Sequence, residues 1–211
     1  MKVQRKYFIR EEHRELKEIR AIVIHWPGPK KTIDGYRTQD IVYLWKWMNT
    51  GTENSYHFLV SQEKVIQCRD TRYRAIHCGH KSYRKKAKDF FGGNICSANN
   101  SPNNYTIAVC MLHDFETGGY ETNTINTAVD LLAHLCIDNN LSPKTDLLRH
   151  SDITNEKKVP CPLGFFEDDD NPDDLWDSFK YWVSARITEI YRDMGIIENL
   201  EQKYDIIDEE K

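Results

Sequence analysis

The sequence lacks a membrane-spanning segment: no stretch approaches the roughly 18 consecutive apolar residues that a membrane helix needs. It also lacks the apolar core of a signal peptide, because the basic first seven residues are followed directly by charged residues 10–12. No internal repeat and no low-complexity linker is present. We therefore expect a globular chain, made in the cytoplasm, that does not associate with membranes.

Excess positive charge is missing too, since the formal net charge is -4 over 211 residues. This balance argues against a general nucleic-acid surface, and we expect a monomer without nucleic-acid partners. The chain has no Cys-x-x-Cys pair, and its wide cysteine spacings are unlike a small disulfide scaffold. Free thiols, one of them available as a metal ligand, fit a reducing compartment. The cysteines are Cys68, Cys78, Cys96, Cys110, Cys136 and Cys161.

Apolar periodicity predicts an α/β fold, a mixed β-sheet with helices packed on its faces. The predicted strands are residues 21–26, a hairpin of 56–60 with 65–68, residues 105–111, and a short strand or turn at 147–150. The predicted helices are a short one at 10–19, one capped by Thr38 and running to Met48, one at 125–136, and one at 172–194. Residues 79–104 are predicted to be a long loop.

These elements predict one domain at 20–195, preceded by an extension at 1–19 and followed by an acidic tail at 196–211. The last helix carries a stripe of large apolar residues, which we interpret as core and not as a sugar-binding platform. The stripe comprises Trp176, Phe179, Trp182, Val183, Ile187, Ile190 and Tyr191.

Three residues stand out as candidate metal ligands. His25 ends the apolar run at 21–25, His150 follows the short strand at 147–149, and Cys161 lies between two prolines. Imidazole and thiolate suit zinc, and three protein ligands would leave a fourth position open, as in catalytic zinc sites. Taken singly, each has an ordinary interpretation as a polar strand end or a small core residue.

Several short motifs occur in a family order: AIVIH at 21–25, SYHFLV at 55–60, AIHCG at 75–79, NYTIAV at 104–109, and RHSDI at 149–153 followed by Cys161 and Pro162. Over about residues 20–165 the chain resembles the type 2 N-acetylmuramoyl-L-alanine amidases, a zinc family that includes phage endolysins and peptidoglycan recognition proteins. The resemblance implies a single amidase-type domain that acts on peptidoglycan or muropeptides.

Carried onto this sequence, the resemblance implies one zinc ion held by His25, His150 and Cys161. It implies Tyr56 as a catalytic residue, assisted by a lysine before the third ligand, for which Lys158 or Lys157 is the candidate. The reaction would be hydrolysis of the amide between N-acetylmuramic acid and L-alanine, with the bacterial cell wall as the place of action.

The resemblance assigns no definite role to the other histidines of these motifs. His77 is a candidate for lining the substrate groove, whereas His57 alternates with Tyr56 and should face away from the metal. Cys68, Cys78, Cys96 and Cys136 are expected to be packing or adventitious thiols.

Two departures from the family pattern affect the catalytic groups. Cys110 stands where one branch of the family has a glutamate, which leaves the tyrosine and lysine version of the chemistry. Val159 stands where a lysine is common, and the segment before Cys161 is longer than usual. Three alternatives stay open: a peptidoglycan-binding module without catalysis, a cytoplasmic muropeptide-recycling amidase, and a regulatory protein built on the amidase fold.

Overall fold

A computed structural model describes residues 3–7, 14–28, 32–33, 36–37, 40–50, 55–79, 82–92, 100–114, 119–155, 161–162, 165 and 172–196. The strands are β1 (Val3–Arg5), β2 (Ala21–His25), β3 (Thr32–Ile33), β4 (Tyr36–Arg37), β5 (Phe58–Val60), β6 (Val65–Gln67), β7 (Thr106–Met111) and β8 (Leu147–Arg149). The helices are α1 (Ile41–Asn49), α2 (Lys85–Phe91), α3 (Thr122–Asn139), α4 (Pro143–Asp146), α5 (His150–Ile153) and α6 (Pro172–Asp193), with a 3-10 turn at Pro102–Asn104.

The main sheet has six strands in the order β1-β6-β5-β7-β2-β8. Strands β5, β7, β2 and β8 run parallel, whereas β6 is antiparallel to β5 and carries β1 parallel to itself. The predicted mixed sheet flanked by helices is therefore confirmed, and so is the predicted hairpin. Residues 3–5, which the sequence analysis assigned to an extension, pair with this sheet as β1.

The two faces of the sheet carry different layers. Side chains alternate along a strand, so Ile22 and Ile24 of β2 point to the face that is covered by α3 and α6. Ala21 and Val23 point to the other face and pack with residues of α2. On that same face a separate cluster forms under α1, around Leu59 of β5 and other strand residues.

Helix α1 begins two residues later than an N-cap at Thr38 would place it. Its N-cap is Asp40, whose side chain accepts hydrogen bonds from the backbone N–H groups of Val42 and Tyr43 at 2.8 Å each. A carboxylate is a strong N-cap and is also favoured by the positive end of the helix. Thr38 itself lies outside the described residues.

Helix α6 was predicted within two residues of its observed ends. Trp176, Phe179 and Val183 are buried against α3 and the sheet, as predicted, but Trp182 is 40% exposed. The prediction for Trp182 was wrong because the buried positions of α6 follow 3- and 4-residue steps, and position 182 falls beside that stripe.

Two further predictions fail. The region 79–104 was predicted to be a loop, yet it contains α2, whose Ala87 and Phe91 pack under the sheet. The helix was not predicted because lysines surround its few apolar residues. Residues 14–19 are not helical, because Glu15 bridges to Tyr73. Residues 10–13 lie outside the described part. Among the described helices, none is both long and apolar enough to cross a membrane.

Candidate metal centre

His25 is the last residue of β2 and points to the face that carries α1 and α2. Its alternation with Val23 places the ring between the two smaller apolar clusters, where it is 2% exposed. On the neighbouring strand, Cys110 pairs with His25 in register. A histidine at the end of a buried strand is thereby held on a rigid element with little access to water.

His150 opens α5 directly after β8, the strand on the other side of β2. Its ring centroid lies 4.6 Å from that of His25. Arg149 holds this junction: its backbone N–H and its guanidinium both donate to Asp152, and the guanidinium also donates to Asp173 of α6 at 2.9 Å. The same guanidinium stacks over Trp176, at 5.6 Å from the ring centroid.

Cys161 completes a group of three. Its Sγ lies 3.9 Å from His25 Nδ1, and its carbonyl accepts a hydrogen bond from Ser151 N–H at 2.9 Å. The ligand atoms of His25, His150 and Cys161 all lie within 4.8 Å of one another, and all three residues are buried.

This donor set fits zinc in chemistry and in spacing. Around a tetrahedral zinc, an imidazole nitrogen and a thiolate sulfur are about 3.6 Å apart, given bond lengths of about 2.05 and 2.3 Å. The 3.9 Å between Cys161 Sγ and His25 Nδ1 is close to this value. Two imidazoles and one thiolate would leave a fourth position for water or substrate.

A second group overlaps the first. The ligand atoms of His25, His77 and Cys78 also lie within 4.8 Å of one another, and these residues are buried. His77 Nδ1 is 2.9 Å from His25 Nε2 and 3.1 Å from Cys78 Sγ. The sequence analysis treated Cys78 as a packing thiol; its position next to His77 in the AIHCG motif was the available signal.

The remaining predicted residues divide between the site, the core and the undescribed segment. Tyr56 is half-buried, and its ring centroid is 5.1 Å from that of His25. His57 is fully buried and points elsewhere: its ring nitrogens bond to Ala108 N–H and to the carbonyl of Tyr73. Lys157 and Lys158 lie outside the described residues.

Burial controls the charge of the site. Desolvation, followed by the nearby His150 and His77, lowers the pKa of His25 well below its ordinary value. Desolvation, and then His57 and His150, likewise lowers the pKa of His77. These imidazoles are therefore neutral at neutral pH, the form that binds a metal. Burial, with Cys161 and Cys68 nearby, raises the pKa of Cys110 well above its usual range, so its thiol is uncharged.

The model of the N-acetylmuramoyl-L-alanine amidase family matches residues 15–162, more than two thirds of the chain. The chain therefore belongs to the N-acetylmuramoyl-L-alanine amidase family, and its activity is that of a peptidoglycan amidase. The resemblance predicted from the short motifs is confirmed. The comparison with curated proteins found no matching sequence.

Solved structures with the same fold include a hydrolase, a catalytic domain and an endolysin. The hydrolase AmiA from Staphylococcus aureus, in complex with its ligand, gives a TM-score of 0.63 at 14% identity, over 93% of this chain and 86% of that chain. The catalytic domain of PlyG gives 0.62 at 17% identity, over 89% and 96% of the two chains. A mutant endolysin from Bacillus subtilis gives 0.59 at 18% identity, over 87% and 98%. At these identities the likeness shows the fold alone.

Proposed function

We propose that the protein uses one zinc ion, held by His25, His150 and Cys161, to hydrolyse the amide between N-acetylmuramic acid and L-alanine in peptidoglycan. The observation that carries the proposal is the convergence of two buried imidazoles and a buried thiol, whose ligand atoms lie within 4.8 Å of one another. Family membership supplies the substrate class. The solved endolysin of the same fold supports a wall-lytic role.

The reaction adds water to the amide carbonyl carbon, breaks the C–N bond, and releases the L-alanine nitrogen as an amine that takes up a proton. When bound, zinc would act as a Lewis acid that activates water and polarises the carbonyl. His25 and His150 bring their imidazole nitrogens for this task from β2 and α5. The large core on the opposite face keeps both elements fixed.

Tyr56 is proposed as the donor to the oxyanion that develops on the carbonyl oxygen. Its phenol ring lies beside His25, with 5.1 Å between ring centroids, which supports a hydroxyl at the margin of the metal centre. A donor placed there stabilises the charge that appears only in the transition state. Lys158 or Lys157 is proposed to supply a second positive donor from the sequence before Cys161.

The finer organisation is also proposed. Residues 20–195 would form the catalytic domain, with the protein acting as a monomer on wall peptidoglycan or soluble muropeptides. Cys161 argues against a binding module without catalysis, because such a module needs no third ligand. His77 as a substrate-groove residue stays a prediction; its burial and its contact with His25 favour a role toward the metal.

The test compares Cys161→Ser with Cys136→Ser, which removes a buried thiol from α3 on the opposite face. We expect wild type and Cys136→Ser to bind one zinc per chain by elemental analysis and to release L-alanine amino termini from purified peptidoglycan. Cys161→Ser should lose both zinc and turnover, because an alcohol is a far weaker zinc ligand than a thiolate. Both variants should still fold.

Full zinc occupancy in Cys161→Ser would remove Cys161 from the ligand set. A wild-type protein that binds peptidoglycan but releases no amino termini would instead support the binding-module alternative. Activity on soluble muropeptides without activity on intact sacculi would point to a recycling amidase. Each result is read on the same protein preparation, with zinc content measured beside turnover.

A further inference from the structure

A chain of hydrogen bonds leads from the backbone to the ring of His25. The Thr106 hydroxyl donates to the carbonyl of Pro102 at 2.9 Å. Thr106 Oγ1 is 3.0 Å from His77 Nε2, and His77 Nδ1 is 2.9 Å from His25 Nε2. Thr106 is fully buried and His77 is 6% exposed. Because water has little access, the protons in this chain must be ordered by the protein itself.

The direction of the chain follows from proton counting. A threonine hydroxyl has one proton, and a carbonyl can only accept, so the proton of Thr106 goes to Pro102. Thr106 Oγ1 then accepts the proton of His77 Nε2, which leaves His77 Nδ1 as an acceptor. His77 Nδ1 in turn accepts the proton of His25 Nε2 at 2.9 Å, since the Cys78 thiol, 3.1 Å from the same nitrogen, is the weaker donor. His25 Nδ1 is therefore bare, and this is the nitrogen that faces Cys161 at 3.9 Å.

The 3-10 turn at Pro102–Asn104 positions both the ring and the backbone of His77. Pro102 supplies the carbonyl that orients the Thr106 hydroxyl. The next residue, Asn103, is buried, and its Oδ1 accepts from the backbone N–H groups of His77 and Cys78 at 3.1 and 2.7 Å. The ring of His77 is thus fixed through its side chain and through its backbone, as a positioning group requires.

We propose that His77 and Thr106 are positioning residues that fix the tautomer of His25, so that its Nδ1 lone pair is presented to the metal. The proposal rests on the zinc site described under the proposed function. His150 shows a similar arrangement on a smaller scale, with its Nε2 3.3 Å from Thr154 Oγ1, a hydroxyl that donates to the His150 carbonyl at 3.4 Å.

The rival assignment for His77 is a second metal position. His25, His77 and Cys78 form their own group of converging ligand atoms. In that case His25 Nε2 would bind a metal and would carry no proton, so the relay could not exist. The two assignments give opposite predictions for the protonation of His25 Nε2 and for the number of metal ions bound.

The first experiment measures zinc affinity by competition with a chelator in Thr106→Val, which keeps the shape of the side chain and removes the hydroxyl. We expect zinc to bind about 10- to 100-fold more weakly, the usual loss when a group that orients a ligand histidine is removed. Thr106→Ser restores the hydroxyl and should return most of the affinity. Thr124→Val removes a buried threonine hydroxyl on α3, away from the site, and should leave zinc affinity unchanged.

The second experiment records ¹⁵N spectra of the histidine rings in the zinc-free wild type. The proposal requires His25 with a protonated Nε2 and a bare Nδ1, and His77 with the same pattern. In Thr106→Val the His77 pattern should become mixed, while the melting temperature stays near that of Thr124→Val. A merely structural role for Thr106 would lower the melting temperature and leave the ring tautomers unchanged.

Three results would overturn the relay. Unchanged zinc affinity in Thr106→Val, with zinc bound normally by wild type, rejects the relay and leaves the proposed function intact. Two zinc ions per wild-type chain, falling to one in Cys78→Ser, assigns His77 to a second metal position instead. A wild type that binds no zinc rejects the relay together with the proposed function.

Discussion

The two faces of the sheet differ in the kind of side chain that they bury. On the face under α3 and α6 the strand side chains form one large apolar cluster, closed by residues such as Phe179 and Leu132. On the other face the apolar side chains divide into a cluster under α2 and a cluster under α1, with His25 between them. One face thus concentrates hydrophobic stabilisation, while the interruption on the other face makes room for a buried group of histidines and thiols.

The largest effect in this comparison should come from removing α6. Deleting residues 172–211 takes away Trp176, Phe179 and Val183, and each buried side chain contributes about 2 kcal/mol. Because domains are stable by only about 5–15 kcal/mol, we expect the shortened chain to lose cooperative unfolding. Circular dichroism during thermal unfolding measures this.

The matched control deletes only residues 198–211, which follow α6 and the last described residue, and should keep the melting temperature close to that of the full chain. If the 172–211 deletion also kept its melting temperature, α6 would be an attachment and the large core would not be the main source of stability.

The next effect concerns the polar face. Tyr56→Phe keeps the aromatic ring beside His25 and removes the hydroxyl. Loss of one donor to a developing oxyanion lowers turnover about 10²- to 10³-fold. Zinc content and melting temperature should be those of wild type. Release of L-alanine amino termini, measured beside zinc content, gives the result; near wild-type turnover would remove Tyr56 from the mechanism.

A smaller effect should appear as a dependence of stability on pH. Burial, only partly opposed by the hydrogen bond to the Tyr73 backbone, lowers the pKa of His57 from 6.5 to about 4. Between these two values the unfolded chain binds a proton that the folded chain does not, so the unfolding free energy falls as the pH falls from 6.5 towards 4. Above pH 6.5 His57 is neutral in both states, and the unfolding free energy no longer depends on its protonation. Lowering the pH from 6.5 to 4 should reduce the unfolding free energy by a value on the order of 3 kcal/mol.

His57→Asn tests this, because asparagine Oδ1 takes the place of the Nδ1 that accepts from Ala108 N–H at 2.9 Å. In zinc-free protein, urea unfolding at several pH values should show a shallower slope for the variant between pH 6.5 and 4. An identical slope in both proteins would mean that His57 does not titrate in this window.

The smallest effect should follow Cys110→Ala. The resemblance places this residue where part of the family has a glutamate, but burial raises its pKa well above the usual range, so the thiol is not a base at neutral pH. Turnover and zinc content should be unchanged, with a loss of stability of about 1 kcal/mol. Cys68→Ala, in the same cluster under α1, is the control for the packing loss alone. A fall in turnover specific to Cys110→Ala would give this thiol a catalytic role.

The sequence predicted the parts of the fold that bury continuous apolar patterns. Strand β2 was predicted from an unbroken apolar run that ends at His25, and helix α3 was predicted from apolar residues at helical spacing. Strand β1 was missed because all three of its residues are exposed, so only backbone pairing with β6 defines it. Helix α2 was missed because only Ala87 and Phe91 of its seven residues are buried.

The sequence allowed the ligand residues of the candidate site to be predicted, but not the hydrogen bonds that connect them. His25, His150 and Cys161 could be selected because metal-ligand chemistry and the family motifs restrict the choice, and the structure brings them together. The roles proposed for Thr106 and Asn103 could not be selected. They depend on which nitrogen of a buried ring carries a proton, and that is decided by contacts between distant segments.

The contact of Arg149 with α6 should couple the thermal stability of the protein to its zinc affinity. Arg149 precedes His150 and bonds to Asp173 in the first turn of α6, so docking of that helix and alignment of the ligand favour each other. A zinc ion present at 100 times its dissociation constant would add about 2.7 kcal/mol to the folded state. By reciprocity, any change that loosens the start of α6 should weaken zinc binding, although α6 contributes no ligand.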